Sequence, residues 1–143
     1  MEGSRVVAVV LLDTNIVISL LNTKDSMHGP ALSAVREWEH QGAEFPLSVI
    51  VWSEVLSGAL RHRGKSAVQN LEGLKKGFFS ATIPVNLEIA NHAAKLRAAN
   101  HPGLKTPDAL ILASGVDMSA DAVLTADKRL ESAAPELVQL VTC

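Results

Sequence analysis

Tyrosine is absent from the chain, tryptophan occurs twice and phenylalanine three times. Platforms on which nucleic-acid bases could stack are therefore few. The one cysteine, Cys143, has no partner for an internal disulfide, and a reducing compartment, the cytoplasm, is the expected location. The apolar run at residues 6–12 falls far short of the roughly 20 residues that a membrane helix needs. It follows Arg5 but lacks a small-residue cleavage site, and Asp13 and Asn15 interrupt it, so it reads as neither a span nor a signal peptide. No sign of charge dominates: 13 basic residues face 15 acidic ones, for a net charge of −2. Charge alone thus argues against a strong nucleic-acid binder. The balance changes if four acids gather around a metal, because 13 basic residues then face 11 acids elsewhere, a surplus of +2.

Repeats, linkers and low-complexity segments are also lacking. At 143 residues, 48% hydrophobic and 20% charged, the chain is expected to form a single domain over residues 1–143 with a sizeable core. The β-branched run at 6–12 has the pattern of a parallel strand buried on both faces. Helices are predicted at 14–21, 31–40, 49–61 (capped by Ser48), 65–76, 87–99 (capped by Asn86) and from 106 to about 114. Thr106-Pro107-Asp108 opens the last of these with a capping hydroxyl, an early proline and an acid. Further strands are predicted at 44–47, 78–85, 122–124 and 138–141. Strands alternating with helices imply a three-layer α/β/α sandwich around a mainly parallel sheet of four to five strands.

Ligands of open parallel sheets bind beyond the carboxyl ends of the strands. Four acids fall there or on the helices that follow: Asp13 after the first strand, Glu54 on the helix after the second, Asp108 opening an apolar helix, and Asp127 after the fourth strand. Each has an ordinary reading as well. Asp13 and Asp127 suit turns or helix caps, Asp108 suits a helix dipole, and Glu54 suits a solvated surface. Residues 109–113 are all apolar, however, so the Asp108 helix should be buried nearly all round. Glu54 follows Ile50 and Val51 by one turn and is expected on the same inward face.

Clustered, half-buried carboxylates repel one another and raise each other's pKa. A divalent cation relieves this, and carboxylate oxygens suit Mg²⁺ or Mn²⁺. His28, His40, His62, His92 and His101 form no short metal-binding pair, which disfavours zinc.

The segments LLDTNIVISLL, VIVWSEVLSG, TPDALILAS and AVLTADKRL, in this order, resemble the acidic signatures of PIN-domain ribonucleases, especially VapC-type toxins. The resemblance spans nearly the whole chain and implies a compact α/β/α sandwich that uses Mg²⁺ or Mn²⁺ to hydrolyse single-stranded RNA, leaving 5′-phosphate and 3′-hydroxyl ends. It implies Asp13, Glu54, Asp108 and Asp127 as metal-binding, catalytic acids, with Asn15 and Thr125 as supporting polar residues. One departure stands out: many relatives carry a further acid two residues after the T-x-D acid, where this chain has Arg129.

RNA must also be held. Arg61, Arg63, Lys105 and Lys128 are the candidate contacts, with His62, Lys65, Lys75, Lys76 and Arg129 nearby in sequence. Relatives of this type form homodimers and are silenced by a small antitoxin protein, so both partners are expected. Residues 16–21, Trp38 and Trp52 offer apolar surface for either, or core. Two alternatives remain open. An Asp-x-Asn after a strand is similar to the Asp-x-Asp of haloacid-dehalogenase-like phosphatases, although Asn15 replaces their general acid. A non-catalytic binding module on the same fold is the other.

Overall fold

The computed structural model describes residues 7–62 and 64–143. Val6, expected in the first strand, and Arg63, an expected RNA contact, lie outside the described residues. The elements run β1 (Val10–Leu12), α1 (Thr14–Leu21), α2 (His28–His40), β2 (Leu47–Ser48), α3 (Val49–His62), α4 (Gly64–Gly77), β3 (Thr82–Ile83), α5 (Leu87–Ala99), α6 (Thr106–Asp117), β4 (Ala122–Thr125), α7 (Lys128–Ala133) and β5 (Val138–Leu140).

β4 lies between β1 and β5, and both pairings are parallel. β2 and β3 form a second parallel pair, tied to the first group by a parallel bridge between Val9 and Glu44. Hydrogen bonds from Val10 N to Glu44 O (2.9 Å) and from Glu44 N to Ala8 O (2.8 Å) complete that tie. The strands therefore follow the order β3-β2-β1-β4-β5. Succession runs outward from β1 on one side and resumes with β4 on the other, so the switch point falls between β1 and β4. Every residue of β1 and β4 is buried, which requires cover on both faces and makes this an α/β/α fold.

Several boundaries differ from expectation. The first strand is regular only from Val10, and the third shrinks to the two residues that find partners in β2. α2 begins three residues early because Pro30 falls in its first turn, where a missing N–H costs nothing. Asn86 caps α5 as predicted, its Oδ1 accepting from Ile89 N at 2.9 Å. Ser48 ends β2, yet its hydroxyl accepts from Ile50 N at 3.2 Å, as a cap would. α6 corrects the expected cap: Lys105 holds that position without a side-chain bond, and Thr106 is already helical.

α6 also runs past Ser114 to Asp117, through Gly115. A Cβ at Gly115 would stand 2.9 Å from Val123 Cγ2 and 3.2 Å from Leu137 Cδ2. This glycine lets α6 lie against β4, and that close approach brings the start of α6 to the ends of the central strands. The short α7 was not predicted at all. No helix among the described residues is long and apolar enough to cross a membrane.

Candidate active site

Asp13 follows β1 directly and is the N-cap of α1, its Oδ1 accepting from Thr14 N at 2.8 Å. The residue is 4% exposed. Its other oxygen, Oδ2, accepts from the Thr125 hydroxyl at 2.7 Å and from Asn15 Nδ2 at 3.1 Å. Thr125 ends β4, the strand paired with β1, so the parallel register itself brings these residues together.

The network continues outward. Thr125 Oγ1 accepts from Asp127 N at 3.1 Å and lies 3.3 Å from Asn15 Nδ2. Asn15 Oδ1 accepts from Ala126 N at 3.1 Å, which pins the turn after β4 to the start of α1. Asp127 is in turn the N-cap of α7. Both cap readings from the sequence hold, and both caps stand at the carboxyl edge. A cap and a ligand-facing acid are not exclusive, because a helix that starts where a strand ends puts its cap at that edge.

Asp108 sits in the first turn of α6 and is half-buried. Burial and the negative charges of Asp13, Asp127 and Glu54 push its carboxyl above the ordinary 3.8. Asp13 is also pushed up, chiefly by burial and further by Glu54 and Asp127, against the lowering hydrogen bonds from Thr125 and Thr14. Asp13 and Asp108 thus both feel the charge of Asp127 and Glu54.

Glu54 is a correction. It is exposed, whereas an inward face was expected. The buried residues of α3 are Val51 and Val55; Ile50, one turn before Glu54, is itself only half-buried. Glu54 therefore lies on the flank of the helix. Its carboxylate is still tied to the site, accepting a hydrogen bond from the Thr14 hydroxyl. Thr14 was not singled out from the sequence, although it stands between two residues that were.

Arg129 faces Asp127. Its Nη2 donates to Oδ2 at 2.9 Å and its Nε to Oδ1 at 3.2 Å, while its backbone N donates to Oδ1 at 2.9 Å. The guanidinium holds the Asp127 carboxyl below its ordinary value, with a smaller contribution from Lys105. Arg61, Lys105 and Lys128 are exposed. Lys75 is engaged elsewhere, 4.3 Å from the Trp52 ring centroid and 3.2 Å from Glu72 Oε1.

The donor set is all carboxylate oxygen, which suits a hard divalent cation. Among the described residues, no group of three acidic, histidine or cysteine side chains is arranged to hold a metal in this conformation. Three of the four acids already accept hydrogen bonds: Asp13 from Thr14, Asn15 and Thr125, Glu54 from Thr14, and Asp127 from Arg129. Burial first, and neighbouring acids second, disfavour the charged forms of Asp13 and Asp108; a cation would offset both, and on that ground the residues fit one.

The PIN domain family model matches residues 10–135. This chain belongs to the PIN domain family. Solved structures share its fold. A toxin–antitoxin complex from Klebsiella pneumoniae superposes with a TM-score of 0.72 and 27% identity, covering 91% of this chain and 96% of that one. Mycobacterium tuberculosis VapC20, described as a sarcin–ricin loop cleaving toxin, superposes at 0.73 with 18% identity, covering 93% and 99%. VapBC-1 from nontypeable Haemophilus influenzae gives 0.70 and 20%, covering 92% and 97%. A search of curated protein sequences gives no significant match. The PIN signatures read from the sequence thus fall on the carboxyl edge of a PIN fold.

Proposed function

We propose that this PIN-domain protein is a metal-dependent endoribonuclease that hydrolyses phosphodiester bonds in single-stranded RNA, and that it is the toxin of a toxin–antitoxin pair. The observation that carries this reading is the bonded set Asp13–Asn15–Thr125–Asp127 at the switch point of the sheet, with Asp108 and Glu54 bearing on it. A bound Mg²⁺ or Mn²⁺ would activate water and neutralise charge at phosphorus.

The chain's own residues supply the frame. Asp13 and Asp108 are the principal ligands, and Asp127 and Glu54 complete the shell directly or through water. Thr125 and Asn15 fix the Asp13 carboxylate, so its orientation is set before substrate arrives. One carboxylate orients the attacking water. Lys105, Lys128 and Arg61 are exposed cations for the RNA backbone.

The toxin reading draws on the similar structures, one described as a toxin–antitoxin complex and another as a toxin. A groove between α1, α3 and α4, with Ile18, Leu21 and Ala59 beside the polar Asn22, Ser66 and Asn70, suits an amphipathic segment of a small antitoxin. Ile18 is 46% and Leu21 40% exposed, so part of this lining is open to a partner. A second copy of the chain is the other partner we propose.

The test is cleavage of single-stranded RNA by purified protein with Mg²⁺, Mn²⁺ or EDTA, beside Asp13→Asn and Asp108→Asn. Cleavage by the wild type that EDTA and both substitutions abolish is expected. Equal cleavage in every arm overturns the reading.

A further inference from the structure

Arg129 is the one cation bonded to an acid of the site among the described residues. Three donors of this residue converge on Asp127. Oδ1 takes the backbone N and Nε, and Oδ2 takes Nη2, in the two-pronged arrangement that matches guanidinium to carboxylate. A carboxylate oxygen has two lone pairs, so Oδ1 is saturated and Oδ2 retains one. An ion approaching that remaining position meets a full positive charge already seated on the same carboxylate. The Arg129 charge also reaches Asp108, whose carboxyl it stabilises in the ionised form.

The contact is built to open. The Arg129 side chain is 57% exposed and that of Asp127 is 24% exposed. The backbone bond from Arg129 N to Asp127 survives if the side chain swings outward, because the N-cap geometry of α7 does not need the guanidinium. The long aliphatic arm has solvent to move into, and the carboxylate it leaves stays in place.

We propose that Arg129 is an internal counter-cation that competes with the divalent metal for Asp127, and so sets how tightly the acidic site takes its ion. This rests on the metal-dependent reading of the site. Without metal, Arg129 offsets one of the four clustered negative charges. With metal, the same offset becomes a penalty that must be displaced. An acid at this position, in place of Arg129, would leave no such competitor there.

The experiment is calorimetric titration of Mn²⁺ into full-length protein without RNA. Four samples are compared: wild type, Arg129→Gln, Lys128→Gln and Asp13→Asn. Lys128→Gln removes the same charge from the neighbouring exposed position, whose side chain is not ion-paired with Asp127, and so measures the general field alone. Arg129→Gln is expected to bind Mn²⁺ about twofold to fivefold more tightly than wild type, the upper part of the range for losing one partly exposed paired charge. Lys128→Gln is expected to change the affinity by less than about twofold.

Wild-type affinity in Arg129→Gln, weaker binding, or a gain matched by Lys128→Gln overturns the proposal. If that happens while Asp13→Asn still abolishes Mn²⁺ binding, the metal site stands and only the role of Arg129 falls. If neither wild type nor Arg129→Gln binds Mn²⁺ in a manner that Asp13→Asn removes, the metal reading fails and takes this proposal with it.

Discussion

The hydroxyl of Thr125 donates to Oδ2 of Asp13 at 2.7 Å, joining the last residue of β4 to the residue after β1. Both are buried, and the hydroxyl also accepts from Asp127 N. One oxygen atom therefore serves two of the four acids. Thr125→Val removes it with little change of shape and leaves a buried carboxylate and a backbone N–H short of a partner. The expected loss is about 1–3 kcal/mol of unfolding free energy, read from denaturant midpoints. Thr125→Ser retains the hydroxyl and should recover most of it. A valine variant as stable as wild type would show that the bond contributes nothing net.

The acids also set opposite pH dependences. The Asp108 carboxyl is held above 3.8 by burial and by its acidic neighbours, so the folded state takes up its proton more readily than the unfolded chain. Its contribution to stability is full below 3.8 and is lost as pH rises through the raised folded value. Asp127 is held below 3.8 by Arg129, so its contribution is full above 3.8 and is lost as pH falls through the lowered folded value. In EDTA at neutral pH, Asp108→Asn should melt above wild type, and the gap should close as pH approaches 3.8. Asp127→Asn should melt below wild type at neutral pH. A gap for Asp108→Asn that ignores pH would contradict this reading.

What was legible in the sequence, and what was not, follows from the kind of information each residue carries. Asp13 and Asp127 were legible because a buried parallel strand is written as an apolar run, and the residue after it must lie at the carboxyl edge. Asp108 was legible because an unbroken apolar stretch marks its helix as interior. Glu54 was misplaced because two apolar residues one turn earlier define a face only to within a quarter turn. The inward pair proved to be Val51 and Val55. α7 spans six residues, too few for helical periodicity to show, so the helix that Asp127 caps is not itself legible. The length of β3 depends on which residues of β2 lie opposite, which is tertiary information. Arg129 showed its charge but not its partner.

Gly115 is where the fold constrains the site most simply. With Val123 Cγ2 only 2.9 Å from a Cβ at this position, any side chain must displace Val123 or move α6 away from β4. Gly115→Val is expected to cost about 1–3 kcal/mol through overpacking. Gly115→Ala should cost less, since alanine regains about 1 kcal/mol of helix propensity. Denaturant unfolding distinguishes the two. Because Asp108 rides on the same helix, the valine variant should also weaken Mn²⁺ binding, whereas a purely local defect would leave it unchanged.

Lys105 provides the sharpest test of substrate class. It occupies the residue before α6, is exposed, and its charge reaches Asp127, so it stands beside the acids without being tied to one. A phosphate held there would neutralise its charge and release a counterion. For single-stranded nucleic acid, each such contact contributes about 0.7 to the slope of log affinity against log salt. Lys105→Gln should therefore weaken RNA binding at low salt and lower that slope by about 0.7. Binding is measured in EDTA with Asp13→Asn as the background, so that no strand is cut during the titration. Lys75→Gln is the matched comparison, because Lys75 already pairs with Glu72 and covers the Trp52 ring. If Lys105 and Lys75 substitutions change the slope equally, the RNA does not enter over the α6 terminus, and the backbone must approach the acids from the α7 side, past Lys128 and Arg129.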